Sequence, residues 1–303
     1  MKEKVLNIFK RLFKKKSVAP KDKRRGVIEI IFFVIAFLVF LCYSLLIIYA
    51  FYWIVMSSFK NNVEFFINPF ALPEQWLFSN YIEAFEKLEY NGVNTIGMII
   101  NSIWYSLGSV IIHMLVCSMT GYVFAKYEFK GKKLMYSIAI IVMIIPIIGG
   151  LASYYKLIYD LGIDNSPLFL ITNLAGFGMH FIIMMSFFRN ISSAYSEAAF
   201  IDGAGHAQTF FTIMLPLAQG PVLALGIKQF ISVWNDYYTP LLYLDRMPTL
   251  ATGLYYYRLT LDRVSNEPVY FAGVVLSTIP VLILFAFFSD KIMQNVNVGG
   301  LKG

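Results

Sequence analysis

EAAFIDGAGHAQTFFTIMLP, residues 197–216, lies between two long apolar stretches and decides how the rest of the chain is read. Ser193 can cap a short helix that runs through Glu197, Ala198 and Ala199 to Asp202, and Gly203 supplies the positive φ that ends it. A second helix then leads through Ile213, Leu215 and Pro216 into the next apolar segment. The alanines let another protein's surface approach closely, Phe200 and Ile201 offer an apolar knob, and Glu197 and Asp202 offer charge. A helix-turn-helix of this kind, joined rigidly to an apolar segment, can turn a partner's movement into a tilt of that segment.

The 303 residues are 58% hydrophobic and only 14% charged, with a mean hydropathy of +0.64. Soluble domains carry about 25% charged residues, so this is an integral membrane protein. Crossing a hydrocarbon core of about 30 Å takes roughly 20 helical residues. Uncharged windows of that length run over 30–59, 95–125, 134–155, 168–188, 203–227 and 268–289. The fifth span must begin near Pro216, because the loop motif precedes it, and must continue past Lys228 toward Leu244. Six spans are expected, with helix breaks or kinks at Pro146 and Gly149-Gly150 in the third and at Pro280 in the sixth.

The first apolar window is about twice the usual length of a signal-peptide core and lacks a small-residue cleavage site, so it reads as a retained anchor. Eleven of the 25 Lys and Arg residues fall in the first 25 positions. Lys126, Lys130, Lys132 and Lys133, then Arg189, then Lys291 and Lys302 fall on the same side of the alternating spans, whereas the opposite loops are acidic. Positive residues accumulate in cytoplasmic segments, which places both termini and the 197–216 loop in the cytoplasm. Residues 1–26 form a basic arm whose Val5, Leu6, Phe9, Leu12 and Phe13 recur at helical spacing. Such an arm lies on anionic membrane lipid or simply fixes topology. It accounts for most of the +7 charge, and no module for nucleic acid accompanies it.

The spacing Glu197-Ala198-Ala199, three residues, Gly203, nine residues, Ile213, one residue, Leu215-Pro216 reproduces the cytoplasmic-loop pattern of binding-protein-dependent ABC importer permeases, which the chain resembles. Seven specified positions, at about 5–10% frequency each, match by chance about once in 10⁸ starts. The resemblance implies an all-α membrane protein with the type I ABC importer permease fold and six transmembrane helices. It divides the chain into the arm (1–26), the first helix with an external loop (27–95), the importer transmembrane domain with its coupling loop at 190–215 (96–290), and a cytoplasmic tail (291–303). It assigns coupling to an ATPase surface to Glu197, Ala198, Ala199, Phe200, Asp202, Gly203, Ile213, Leu215 and Pro216.

Other segments resemble the carbohydrate-uptake branch, typified by the G subunit of maltose permeases. These are Ser57-Ser58-Phe59-Lys60, Asn80-Tyr81, Asn101-Ser102, the run from Phe124 to Lys132, Trp234-Asn235-Asp236 with Pro240-Leu241-Leu242, and the tail Gly299-Gly300-Leu301-Lys302-Gly303. The resemblance implies a second homologous permease, two ABC ATPase subunits that bind ATP and Mg, and an extracytoplasmic sugar-binding protein. It implies a multi-pass location in a bacterial cytoplasmic membrane and no cofactor in this chain. An importer of this kind for a non-sugar solute is the nearest alternative; a secondary transporter or channel is the alternative from another class.

Lys228 lies about 12 residues beyond Pro216, roughly 18 Å into the membrane, where a charge is costly and faces a polar cavity, a partner or the interface. A substrate path past Lys228, Gln229, Trp234, Asn235 and Asp236 is one reading, with the neighbour of Lys228 either Gln229 or a group on the second permease. A snorkelling or structurally paired lysine is the other. Tyr255, Tyr256 and Tyr257 either anchor at the interface or, by the resemblance, meet the binding protein. No phosphate-binding loop occurs. His113, His180 and His206 stand apart in sequence without metal-ligand spacing, and no nucleophile motif is present. Cys42 and Cys117 read as buried thiols. No residue is assigned a catalytic or metal-binding role.

Overall fold

A computed structural model of the chain describes residues 23–145, 149–174, 176–260 and 266–298. The arm up to residue 22, Pro146 and the tail from Gly299 lie outside the described residues. By contact the chain forms two units, 1–54 and 55–303.

The first unit is carried by helix α1 (Lys23–Ser58), whose 30 residues from Glu29 to Ser58 are almost continuously apolar. At 1.5 Å per residue that stretch is about 45 Å long, enough to cross a hydrocarbon core. Ile30, Phe33, Phe37, Phe40 and Leu46 are exposed, as lipid-facing side chains are, and so is Cys42.

The second unit begins with α2 (Asn62–Ile67), α3 (Ser79–Lys87) and a hairpin of β1 (Glu89–Tyr90) and β2 (Val93–Asn94). The hairpin turns at Asn91 and Gly92, both with positive φ, the pairing that a tight two-residue hairpin demands. Then come α4 (Thr95–Lys126), α5 (Lys132–Ile144), α6 (Leu151–Asp160) and a 3₁₀ segment (Pro167–Leu174). They are followed by α7 (Met179–Asn190), α8 (Ala194–Ile201), α9 (His206–Leu217), α10 (Gln219–Trp234), α11 (Tyr238–Tyr243), α12 (Leu250–Thr260) and α13 (Glu267–Val298).

Helix α4 organises this unit. Asn94 caps it by accepting the Gly97 amide at 2.9 Å, and it packs mainly on α7 and α10. Its buried Ser102, Ser106, Ser109 and Ser118 are small enough for the backbones to come close. At Gly121 a Cβ would stand 2.9 Å from the Met185 amide nitrogen, so only glycine fits between α4 and α7. Tyr122, Met184, Phe188, Phe210 and Met214 form the core where α9 joins these helices. Cys117 is buried, as its place in an apolar window implied.

The spans differ from the six expected windows. Among the described residues three helices are long and apolar enough to cross a membrane: Glu29–Ser58, Thr95–Lys126 and Glu267–Phe288. Two bent pairs raise the count to five: the 3₁₀ segment with α7 at 56°, and α9 with α10 at 78°. The window 134–155 is instead two shorter helices: α5 ends at Ile144, α6 starts at Leu151, and Gly149 lies between them at φ +80°. Pro280 breaks nothing: α13 runs through it. The fifth window does not continue as one helix to Leu244. It ends at Trp234, because Asp236 Oδ1 accepts the amides of Tyr238 and Thr239, both at 3.0 Å, and starts α11.

The external loop, grouped with the first helix in sequence, belongs to the second unit. Lys60 is fully buried and its Nζ donates to the carbonyls of Asn68 (2.7 Å) and Pro69 (3.2 Å). Asn80 Nδ2 donates to the carbonyls of Ser58 and Lys60, each at 2.8 Å, and the Ser58 and Tyr81 hydroxyls meet at 2.7 Å. The hairpin is pinned from the other side by Asp245, whose Oδ1 accepts from Tyr90 Oη at 2.7 Å and Asn91 Nδ2 at 2.8 Å. Burial, and then the Asp245 carboxylate, push the Tyr90 phenol up to about 12, so this bond keeps its proton at any physiological pH.

Asn80→Ala strips the donors from two buried carbonyls, each costing about 1–3 kcal/mol when left unpaired. The purified protein should therefore melt several degrees lower in detergent, whereas Glu86→Ala on the exposed face of the same helix should not shift the midpoint. Equal midpoints for both variants would show that the knot at Lys60 holds nothing.

Candidate functional site

Helix α8 ends in a Schellman turn. The Gly203 amide donates to the Phe200 carbonyl at 3.1 Å and the Ala204 amide to the Ala199 carbonyl at 2.9 Å. Gly203 sits at φ +86° with open space around it, so glycine is required for the backbone angle and not for room. Ser193 does not cap the helix with its side chain, as its sequence position suggested. Its backbone is helical, and its carbonyl accepts the Ser196 and Glu197 amides.

The specified residues of the loop fall on two sides. Ala199 is 5% exposed and packs inward with Ser196, so it does not itself form a contact face. Glu197, Ala198, Phe200, Asp202 and Gly203 are exposed, and Ile201 is 86% exposed. Tyr195 and Phe200 are exposed in the same helix, so with Glu197 and Asp202 the loop presents apolar and acidic side chains to its surroundings. Among the described residues neither Glu197 nor Asp202 has an ion-pair partner.

Helix α9 carries the loop into the membrane span. Pro216 has no amide to give to the carbonyl four residues back. Just ahead of it the helix widens into a π turn over Phe210–Met214, where the Leu215 amide reaches the Phe210 carbonyl. The 78° bend into α10 follows at Ala218. Ile213 and Leu215 are half-buried and Pro216 is exposed, whereas the unspecified Phe210, Met214 and Ala218 are buried. Of the specified positions Ala199 is buried and Ile213 and Leu215 half-buried, while the unspecified Phe210 and Met214 contribute to the core.

The segment after α4 braces both ends of this loop, which spacing did not reveal. Lys126 Nζ donates to the Ile191 carbonyl, and the Tyr127 hydroxyl meets His206 Nδ1 at 2.9 Å. The His206 ring stands edge-on to Phe200 with centroids 4.9 Å apart, so the brace reaches the exposed knob. His206 is therefore not isolated, and neither are the other two histidines. His113 Nε2 and His180 Nδ1 meet at 2.9 Å between α4 and α7, with Cys117 Sγ 3.6 Å from the former. No cluster able to hold a metal occurs among the described residues.

The suspected path residues separate. Lys228 is exposed on α10 and makes no hydrogen bond or ion pair among the described residues, so Gln229 is not its partner. Gln229 and Asp236 border a cavity of about 430 Å³. Trp234 is 3% exposed, donates from Nε1 to the Ser277 carbonyl at 2.9 Å and stacks on Phe230, so it ties α10 to α13. Asn235 is exposed beside a second cavity of about 270 Å³, bordered by Tyr237, Tyr255 and Arg258. The three tyrosines diverge, as consecutive helical residues must: Tyr255 stacks on Tyr237 (4.2 Å), Tyr256 meets Tyr90 (4.7 Å), and Tyr257 packs into the core.

A model of the family described as binding-protein-dependent transport system inner membrane component matches residues 117–297. That is more than half of the chain, and the chain belongs to this family: it is a multi-pass transport subunit of the membrane. It is similar to the diacetylchitobiose uptake system permease protein NgcG of Streptomyces coelicolor, with 29% identity over 95% of this chain and 92% of that one. It is also similar to the arabinooligosaccharides transport system permease protein AraQ of Halalkalibacterium halodurans, with 28% identity over 82% and 89%. For the maltodextrin permease MdxG of Bacillus subtilis the identity is 25% over 86% and 92%. A solved bacterial ABC transporter for the acidic polysaccharide alginate has the same fold, with a TM-score of 0.70 and 22% identity over 91% of this chain and 99% of that one.

Tyr127→Phe removes the hydroxyl that meets His206 and leaves the ring. The loop should then take up deuterium faster over residues 197–206, by about 5-fold or more for the loss of one hydrogen bond worth about 1 kcal/mol. Hydrogen exchange that is unchanged in this window would exclude the brace.

Proposed function

We propose that the chain is the permease subunit of an ABC importer that moves a sugar or oligosaccharide by alternating access, driven through the 197–216 loop. The observation that carries the reading is the braced, exposed loop. Glu197, Phe200, Ile201 and Asp202 offer a docking surface, and α9 joins it to α10 through a proline and one sharp bend. A push on the loop can therefore tilt α10. Two ATPase subunits that bind ATP and Mg would supply the push, and the chain itself carries no phosphate-binding loop. ATP binding closes the ATPase pair and turns the path outward, and hydrolysis resets it. Such a switch requires its ligands to bind the two states unequally.

Sugar as the cargo is supported by the substrates for which the relatives are named, diacetylchitobiose, arabinooligosaccharides and maltodextrin. A sugar-binding protein outside the membrane would deliver it, for which Tyr255 and Tyr256 are the accessible aromatic candidates. A second homologous permease would complete the path, and exposed Lys228 would face it, with Gln229, Asn235 and Asp236 nearer the outer end.

The test is ATP hydrolysis by the complex of this chain, its partner permease and their ATPase in liposomes, with and without binding protein loaded with maltotriose, diacetylchitobiose or arabinotriose. One loaded form should raise hydrolysis several-fold, and Gly203→Asp, which forces a side chain into a left-handed position at a cost of about 1–2 kcal/mol, should abolish the rise. Hydrolysis indifferent to every loaded form would refute the sugar reading, and a rise retained in Gly203→Asp would refute coupling through this loop. Lys228→Met should lower uptake at least several-fold in normally assembled complexes; wild-type uptake would remove Lys228 from the path.

A further inference from the structure

We infer that the cavity of about 430 Å³ bordered by Gln229 and Asp236 is a saccharide subsite built by this chain alone, and that it takes neutral sugar rings in preference to acidic ones. This rests on the sugar-importer reading and adds the place and the chemistry of binding. The volume lies within the ~300–1,000 Å³ typical of small-molecule pockets. Five elements contribute to it: α4 through Tyr105, α6 through Tyr154, the 3₁₀ segment through Asn173, α10 through Gln229, and α11 with its preceding turn through Tyr243 and Asp236.

Three features point to a polyhydroxylated ligand. The first is a fixed aromatic wall. Tyr243 is stacked on Phe169 at 5.3 Å and 19°, with Tyr154 edge-on to it at 5.5 Å and 88°. Tyr243 and Phe169 are spent on each other, and the exposed ring of Tyr154, braced against them, offers the C–H face of a pyranose a rigid partner that loses little entropy on binding. The second is an unspent hydroxyl. Tyr243 is 5% exposed and its hydroxyl has no hydrogen-bond partner. Buried polar groups are otherwise almost always paired, and an orphan beside a cavity calls for a ligand or water to pair it. The third is a set of side-chain acceptors left over after the local structure is satisfied. Asp236 gives Oδ1 to two amides, and Oδ2 accepts no hydrogen bond among the described residues. Asn173 gives its Nδ2 to Ser109 Oγ and keeps its carbonyl oxygen.

The charge on the walls sets the class. Among the described residues no Lys or Arg borders the cavity, and its one carboxylate is Asp236. A uronate would meet a carboxylate with no cation to offset it, whereas neutral hydroxyls can donate to Asp236 and Asn173. Another space, about 410 Å³ between α4, α10 and α13, is bordered among the described residues by apolar side chains such as Leu107, Val222 and Phe230. It offers a sugar no partner.

The experiment uses the full complex in liposomes and reads moles of sugar imported per mole of ATP hydrolysed. Maltotriose, diacetylchitobiose and arabinotriose serve as neutral probes, with trigalacturonate as the acidic one. Tyr243→Phe keeps the ring packing and removes one hydroxyl; Gln229→Leu alters a half-buried cavity wall that no hydrogen bond of the fold uses. Each should lower import of the accepted neutral sugar per ATP at least 5-fold. In the wild type, trigalacturonate should be imported at less than a tenth of that rate. Wild-type stoichiometry in both variants would overturn the subsite while leaving a sugar-stimulated wild type, and hence the importer reading, intact. Import of trigalacturonate at the neutral rate would overturn the charge argument. A wild type stimulated by no loaded form would sink the importer reading and this inference with it.

Discussion

Close approach of helix backbones is the constraint on which the larger unit depends. Lipid tails are as apolar as leucine, so helices in a membrane gain little by hiding apolar surface and must gain by packing and by hydrogen bonds. Helix α4 meets that demand with a file of serines and with Gly121, where the Met185 backbone leaves no room for a Cβ. The helices it holds, α7 and α10, belong to the two bent pairs, so the bends are positioned by a straight neighbour.

That neighbour also connects the two functional regions. Its final residue, Lys126, and the following Tyr127 brace the coupling loop at Ile191 and His206. Tyr105, 21 residues earlier on the same helix, borders the polar cavity. At 1.5 Å per residue the two regions are about 30 Å apart along one rigid element, a membrane's thickness. Helix α10 runs between the same regions, from the bend at Ala218 to the cap at Asp236. Two helices packed on each other, α4 and α10, therefore connect the loop with the cavity. Trp234, bonded to the Ser277 carbonyl, ties the far end of α10 to α13.

The loop was legible in sequence because its requirements are local. A positive φ at residue 203 needs glycine, and helix ends have composition. What spacing missed was long-range: Tyr127 and His206 are 79 residues apart and meet only after α4, α7 and α9 pack. His113 and His180 looked solitary for the same reason and lie in hydrogen-bond contact. The Asn91-Gly92 turn is local as well, since an Asn-Gly pair suits a hairpin whose two turn residues need positive φ. Apolar windows do not show where a helix is interrupted, as two places make plain. Near Gly149 the window covers two short helices, and after Trp234 the Asp236 carboxylate starts a new helix where hydropathy alone continues the old one.

Membrane residence, the existence of the long apolar helices and the position of the turn at Gly203 were determined by the sequence alone. Each follows from runs of residue type or from one residue's backbone limits, which act over a few positions. Tertiary structure alone decided which side of the loop is exposed, that Ala199 turns inward while Ile201 stands bare, and that Trp234 belongs to packing. It also gathered Tyr105, Asn173, Gln229 and Tyr243 around one cavity. Those outcomes depend on contacts between residues far apart in the chain, and no local propensity or period encodes which distant backbone will arrive beside a given side chain.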